Sequence, residues 1–134
     1  MSFKVDYQRG VDKEMQLKPT LETYFEDTIK KTGKFDLLDY EGENCWIEIK
    51  SRRNTYQQYP TTLISKNKID FARTCTKPVY FVFDFTDQTR YIKYDYIAFS
   101  KFECKMFKPP TRFDKVDVKQ LYYFVPIQSL TLIG

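Results

Sequence analysis

Two adjacent segments of the chain hold the residues that could do chemistry. Residues 36–48 contain five acidic side chains, and residues 50–77 contain seven basic side chains and one acidic one. Histidine is absent, which excludes Ser-His-Asp and Cys-His nucleophilic catalysis. Clustered carboxylates suit magnesium, and basic side chains bind phosphate. The pattern favours metal-assisted chemistry on a phosphodiester, and two solvated surface segments of opposite charge are the alternative interpretation.

The centre of this pattern is the tripeptide Glu48-Ile49-Lys50. Side chains alternate across a β-strand, so we expect Ile47 and Ile49 to face the core while Glu48 and Lys50 project together from the other face. A metal ion beside Glu48 could generate hydroxide near neutral pH, and Lys50 could orient the attacking water or hold a phosphate oxygen. An ordinary Glu-Lys pair on an exposed sheet surface is the competing interpretation.

Hydrophobic periodicity and helix and turn signals predict the elements that position these residues. The predicted elements are a helix over residues 19–31, a hairpin of strands over 35–40 and 45–51, an extended piece over 61–64, a helix over 66–75 that follows the cap Ser65, and strands over 79–85, 90–99 and 121–125. Pro109-Pro110 predicts a loop. This order predicts a single α/β domain over residues 1–134, with a sheet of mixed strand directions.

The register of the hairpin decides which aspartate lies beside Glu48. If Asp39 is opposite Glu48, Leu38 and Tyr40 join the core face of the sheet. If Asp36 is opposite instead, Asp39 lies on the core face, where a carboxylate is costly. We therefore favour Asp39 and keep Asp36 as the alternative.

The whole arrangement resembles the PD-(D/E)xK nuclease superfamily. An aspartate on one strand in residues 35–40 precedes an apolar strand ending in Glu48-Ile49-Lys50, and the helix in residues 66–73 has lysines near its start. The resemblance covers residues 19–86 and extends to archaeal Holliday-junction resolvases and to small stand-alone nucleases of viruses and phages. The usual proline before the aspartate is missing at both candidates. The resemblance implies a restriction-endonuclease-like mixed sheet flanked by helices.

The resemblance also implies a role for each matching residue. The metal ligands would be Asp39, Glu48 and the backbone carbonyl of Ile49, and Lys50 would be the catalytic lysine. Glu22 would be the acid from the first helix, although a helix-surface acid is an equal interpretation. Lys68 would be the auxiliary base of the second helix, with Lys66 as its rival. Asp36 stays in the catalytic set as the alternative aspartate, and the nucleic-acid-binding residues are Arg52, Arg53, Lys66 and Arg73.

These roles imply a magnesium-dependent endonuclease that hydrolyses phosphodiester bonds in DNA, with manganese as a substitute. A nucleic-acid-binding module that keeps the fold but does not cleave is one alternative. A dimeric Holliday-junction resolvase is another, so both a monomer and a homodimer stay open.

The three cysteines are an odd number without CxxC spacing, which argues against a structural zinc site. The start of the chain does not resemble a signal peptide, and no apolar run is long enough to span a membrane. We therefore expect an intracellular protein, cytoplasmic or nuclear, without a membrane partner. The resemblance is compatible with a virus-encoded protein.

Overall fold

A computed structural model describes residues 3–33, 36–108 and 120–133 of the chain, with side chains from residue 14 onward. Its helices are α1 (Phe3–Phe25), α2 (Lys66–Thr74) and α3 (Tyr96–Ser100), and a short 3₁₀ turn follows at Ile127–Ser129. Its strands are β1 (Ile29–Lys31), β2 (Tyr40–Gly42), β3 (Trp46–Ser51), β4 (Thr61–Ser65), β5 (Val79–Asp84), β6 (Thr89–Lys93), β7 (Glu103–Phe107), β8 (Gln120–Pro126) and β9 (Thr131–Leu132). None of the helices in these ranges is long and apolar enough to cross a membrane.

The strands form two sheets. A central sheet has the order β1-β2-β3-β5-β6-β9, and a smaller sheet has the order β4-β8-β7. Strands β3 and β5 run parallel, whereas their neighbours pair antiparallel. The connection from β3 to β5 passes through β4 and α2, so it carries the chain into the smaller sheet and back. The mixed α/β architecture is as predicted, but the second sheet is not.

The central sheet separates two apolar clusters. Ile47 and Ile49 of β3 pack with Leu21 of α1 on one side. On the other side, Phe81 of β5 packs with Ile69 of α2. Strand β5 contributes to both clusters and is buried on both faces, as its nearly continuous apolar sequence predicts.

The first helix differs from its prediction at both ends. Pro19 lies inside α1 instead of starting it, and the helix ends at Phe25. Glu26 has a positive φ of 53°, and the next N–H, that of Asp27, donates to the carbonyl of Glu22. This is a Schellman-type end in which glutamate occupies the position usually taken by glycine, so no stop signal could be read at that position. Residues 29–31, predicted as helix, form strand β1.

The first predicted hairpin strand is also displaced. Asp36 N–H donates to the carbonyl of Gly33, and residues 36–39 form a bend that leads into β2. Phe35, the predicted first residue of that strand, lies outside the described residues. Ser65 precedes α2 as predicted but makes no side-chain capping bond.

The predicted strand over residues 90–99 is shorter than expected. It divides into β6 and α3 because the Asp95 side chain caps the helix through the N–H groups of Ile97 and Ala98. The predicted strand over 121–125 lies inside β8. Pro109-Pro110 lies outside the described residues.

Asp27 stabilises the turn between β2 and β3. Its carboxylate accepts hydrogen bonds from the N–H groups of Asn44 at 2.9 Å and Glu43 at 3.2 Å, and the Cys45 thiol donates to it at 3.4 Å. The bond from the Asn44 N–H, together with the others, lowers the pKa of Asp27. A carboxylate with a lowered pKa stabilises the folded state above its unfolded pKa of about 3.9, and this stabilisation is lost as the pH falls through the folded value.

We predict that Asp27→Asn lowers the free energy of unfolding by about 1 kcal/mol at pH 7, because the turn N–H groups lose an ionised acceptor. Urea unfolding at pH 7 and pH 3 measures the difference, which should shrink at the lower pH. Glu43→Gln, which removes an exposed acid from the same turn, serves as the control. An equal loss at both pH values would contradict the assignment.

Candidate active site

The register of the hairpin brings Asp39 next to Glu48. Strands β2 and β3 pair Tyr40 with Ile47, and continuing this register by one residue places Asp39 across from Glu48. One hydrogen bond joins the pair, because Asp39 N–H donates to Glu48 Oε1 at 3.1 Å. A second joins Asp39 to the next residue of β3, because Ile49 N–H donates to Asp39 Oδ2 at 3.0 Å. This register places the Asp39 carboxylate away from the core face of the sheet. Tyr40 joins Ile47 and Ile49 in one apolar cluster, as expected.

Leu38 is the exception to that expectation. It is buried, but it packs with the cluster on the other side of the central sheet. The bend over residues 36–39 explains the difference, because the strict alternation of side chains holds only within β2, which begins at Tyr40.

Glu48 is almost completely buried, with 1% of its surface exposed. Lys50 Nζ lies 3.1 Å from Glu48 Oε2, and Lys68 Nζ of α2 contacts the same oxygen. A buried carboxylate is costly unless it is paired and hydrogen-bonded, and here two ammonium groups and one N–H satisfy it. Because Glu48 is buried, the interpretation as an ordinary exposed surface pair does not hold.

A third lysine lies on the Asp39 side of the group. Lys31 Nζ on β1 is 3.8 Å from Asp39 Oδ1 and 3.0 Å from Glu14 Oε2 of α1, and it lies over the Tyr40 ring at 4.9 Å. Partial burial opposes its charged form, but the hydrogen bond to Glu14 and the attraction of Asp39 outweigh burial and raise the pKa of Lys31. Sequence reasoning missed Glu14 and Lys31, since it began the helix at Pro19 and extended it through residue 31.

The two other predicted acids are engaged elsewhere. Glu22 Oε2 accepts the Ile29 N–H at 2.9 Å. Glu22 follows Glu14 by eight residues, about 12 Å along the helix, and so lies towards the opposite end of β1. The exposed Asp36 accepts the Gly33 N–H at 2.6 Å in a tight turn. Neither contact brings Glu22 or Asp36 to the Glu48 carboxylate.

Arg52 is integrated into the fold. Its Nε donates to Thr62 Oγ1 at 3.1 Å, and its Nη2 donates to the Leu63 carbonyl at 2.8 Å. Burial lowers the pKa of Arg52 to about 10, so its guanidinium is still charged at neutral pH. Arg53, the next residue, is exposed.

The basic residues of α2 lie at its two ends. Lys66 is at the first turn and pairs with Asp70 at 2.7 Å. Arg73 is in the last turn, exposed, with its guanidinium 5.2 Å from the centre of the Tyr96 ring. The hydrogen bond with Tyr94, opposed in part by burial, raises the pKa of Arg73.

The Asp39–Glu48 group fits a divalent cation. The N–H and carbonyl of a strand residue point to the same side, and the Ile49 N–H points to Asp39, so the Ile49 carbonyl is directed there too. Two carboxylates and one carbonyl are hard oxygen donors, and magnesium commonly uses one or two carboxylates with water. Within the described residues no group of three or more His, Cys, Asp or Glu side chains could hold a metal, so the carbonyl and water would complete the shell.

A comparison with protein-family models gives a match that spans most of the chain. A family model described as "Phage putative PDDEXK endonuclease" matches residues 4–129 of the 134-residue chain. Neither a curated protein nor a solved structure matches. The matched span includes Glu14, Lys31, Asp39, the Glu48-Ile49-Lys50 tripeptide and Lys68, and it confirms the resemblance to the PD-(D/E)xK nucleases.

We predict that Lys68→Met lowers the free energy of unfolding by about 1–3 kcal/mol, because buried Glu48 then loses one of its two cationic partners. Lys66→Met, two residues earlier on the same helix, is the matched control and should have little effect, since its partner Asp70 lies at the solvent side. Urea unfolding of both variants tests the difference. Equal stability of the two variants would mean that Lys68 does not compensate Glu48.

Proposed function

This chain belongs to the phage PDDEXK endonuclease family, and on that premise we propose that it is a metal-dependent endonuclease that hydrolyses phosphodiester bonds in DNA. The observation that carries the proposal is the buried Glu48 carboxylate, which faces Asp39 and contacts Lys50 and Lys68. The ion pairs between Glu48 and the two lysines, taken alone, would also be compatible with a purely structural role. Two carboxylates, a strand carbonyl and two lysines at one point are the set that metal-assisted hydrolysis needs.

In this proposal Asp39, Glu48 and the Ile49 carbonyl hold a magnesium ion, which manganese can replace. When bound, the cation lowers the pKa of a water molecule and offsets charge that develops on the phosphate. Asp39 is kept in place by the Ile49 N–H, and Glu48 by the Asp39 N–H, so the two carboxylates are preorganised. Preorganised donors need little rearrangement during the reaction.

We assign the two lysines to substrate. Lys50 and Lys68 approach Glu48 Oε2 from different elements, β3 and α2, with a quarter or so of each side chain exposed. From these positions Lys50 orients the attacking water or holds an oxygen of the scissile phosphate, and Lys68 holds a second phosphate oxygen. Arg53, Lys66 and Arg73 are accessible at the surface and supply contacts to the phosphate backbone further along the nucleic acid.

The test is a cleavage assay with and without Mg²⁺ on linear, single-stranded, nicked and four-way-junction DNA, with an RNA substrate in parallel. We expect Mg²⁺-dependent cleavage by the wild type and its loss in Glu48→Ala and Lys50→Ala. Unchanged cleavage in both variants would sink the assignment. Binding without cleavage under every metal condition would favour the binding-module alternative.

Asp39 and Asp36 form a matched pair for the same assay. Asp39→Asn should lower kcat by about 100-fold or more, because it removes one of the two carboxylates of the proposed metal site. Asp36→Asn, which carries the same chemical change three residues earlier, should retain activity because its carboxylate serves the Gly33 turn. The opposite ranking would assign the metal to Asp36.

We further propose that Glu14, and not Glu22, is the first-helix acid of the site, because Glu14 and Asp39 share the Lys31 ammonium. Glu14→Gln frees that ammonium from one partner and should lower kcat/KM by roughly 10-fold, a shift of about 1.4 kcal/mol. Glu22→Gln should lower stability without this loss of kcat/KM, since Glu22 caps the Ile29 N–H. Cleavage rates and urea unfolding of both variants separate the roles.

A further inference from the structure

Arg52 connects the two sheets beside the candidate active site. Its backbone N–H donates to the Asp84 carbonyl at 2.9 Å and so continues the β3–β5 pairing past Ser51. Its guanidinium lies 5.5 Å from the Phe83 ring centre and reaches across to β4, where it donates to Thr62 and Leu63. One side chain therefore binds a strand of each sheet.

The two strands that Arg52 joins lead to the two sides of the site. Strand β3, which ends one residue before Arg52, contains Glu48 and Lys50. Strand β4 runs directly into α2, whose third residue is Lys68. Strand β4 pairs with β8 in the smaller sheet, so its position relative to β3 depends on contacts between side chains across the two sheets.

We propose that Arg52 is a positioning residue that sets the distance between Lys68 on α2 and Glu48 on β3, instead of contacting nucleic acid. The expected loss of activity rests on the proposed nuclease function, whereas the expected change in the position of Lys68 relative to Glu48 does not. The Thr62 acceptor lies inside the protein with only 6% of its surface exposed, and the second acceptor is the backbone carbonyl of half-buried Leu63. The Nε and Nη2 donors that bind these acceptors are not available to a phosphate outside the protein.

The chemistry of the side chain explains why arginine occupies this position. A guanidinium presents several N–H donors in a fixed plane, so Nε and Nη2 can bind two acceptors on one strand at once. Bonds from a charged donor are stronger than neutral ones, which offsets the cost of partial burial. A lysine ammonium keeps the charge but is a single point on a flexible stem, so it cannot reproduce the fork.

The rate of catalysis is sensitive to an interaction, such as that of Arg52 with β4, that fixes the distance between reacting groups. A displacement of about 1 Å at reacting groups can lower the rate by about 100-fold, even when the change is made elsewhere. Movement of β4 relative to β3 would carry Lys68 away from Glu48 Oε2. The consequence would be a lower kcat, with nucleic-acid affinity preserved.

Four variants test the proposal in the full chain: Arg52→Lys, Arg52→Met, Thr62→Val and Arg53→Met. Positioning predicts that Arg52→Met and Arg52→Lys both lower kcat about 100-fold, while KM and the salt dependence of DNA binding stay near wild type. Thr62→Val, an isosteric change at a buried residue, should lower kcat in the same direction by about 10-fold. Arg53→Met should instead raise KM and reduce the salt dependence, as loss of a phosphate contact does.

Three results would overturn the proposal: full activity in Arg52→Lys, wild-type kcat in Thr62→Val, or an altered salt dependence in Arg52→Met that matches Arg53→Met. Rates are compared below the unfolding transition, so that a change in the folded fraction does not contribute to kcat.

An activity-independent measurement separates this proposal from the proposed function. Backbone amide NMR shifts of Thr62→Val, recorded without metal or nucleic acid, should change at Glu48 and Lys68 as well as at residues 52 and 61–63. Changes confined to the immediate neighbours would overturn the positioning role. A wild type that never cleaves would refute the nuclease proposal, and the NMR result would still decide the role of Arg52.

Discussion

The negatively charged carboxylate of Glu48 is buried, with 1% of the residue's surface exposed, and the neighbouring elements must compensate its charge. The penalty for burying an unpaired carboxylate is several kcal/mol, which is a large part of the stability of a domain of this size. Three elements offset this penalty together: the backbone N–H of Asp39 from the chain before β2, Lys50 from β3 and Lys68 from α2. Displacing any one of them leaves part of the charge uncompensated, so hairpin register, helix placement and site geometry depend on one another.

The layered fold supplies Lys50 and Lys68 on the face of the central sheet that α2 covers. Strand β3 directs Ile47 and Ile49 into the cluster under α1, and directs Glu48 and Lys50 to the face that α2 covers. The smaller sheet holds α2 there, because β4 precedes the helix without an intervening loop. Helix α1 and β1 add the Glu14–Lys31 pair next to Asp39. The site thus forms where the two sheets and the first helix meet.

Much of this could be predicted from local sequence. The alternation in residues 46–51, the desolvation argument for register and the apolar strand 79–84 depend on neighbouring residues, and each has its counterpart in the structure. The second sheet pairs residues 61–65 with 122–126, and local periodicity carries no signal for a contact across that separation. The end of α1 was missed because Glu26 occupies a left-handed position that sequence rules reserve for glycine. Lys31 was missed in consequence, and Glu14 was missed because the helix was predicted to begin at Pro19.

The distribution of charge bears on the choice between a nuclease and a module that only binds nucleic acid. A binding surface gains affinity from each cation that meets a phosphate, and clustered carboxylates at that surface repel the ligand. Here Glu48 and Asp39 engage three lysines, Lys31, Lys50 and Lys68, within the protein itself. This arrangement weakens non-specific phosphate binding and adds the desolvation cost of Glu48. The lysines offset that cost with or without cleavage, but a module that only binds gains no affinity from the two carboxylates, whereas a nuclease would use them to hold a cation against the phosphate.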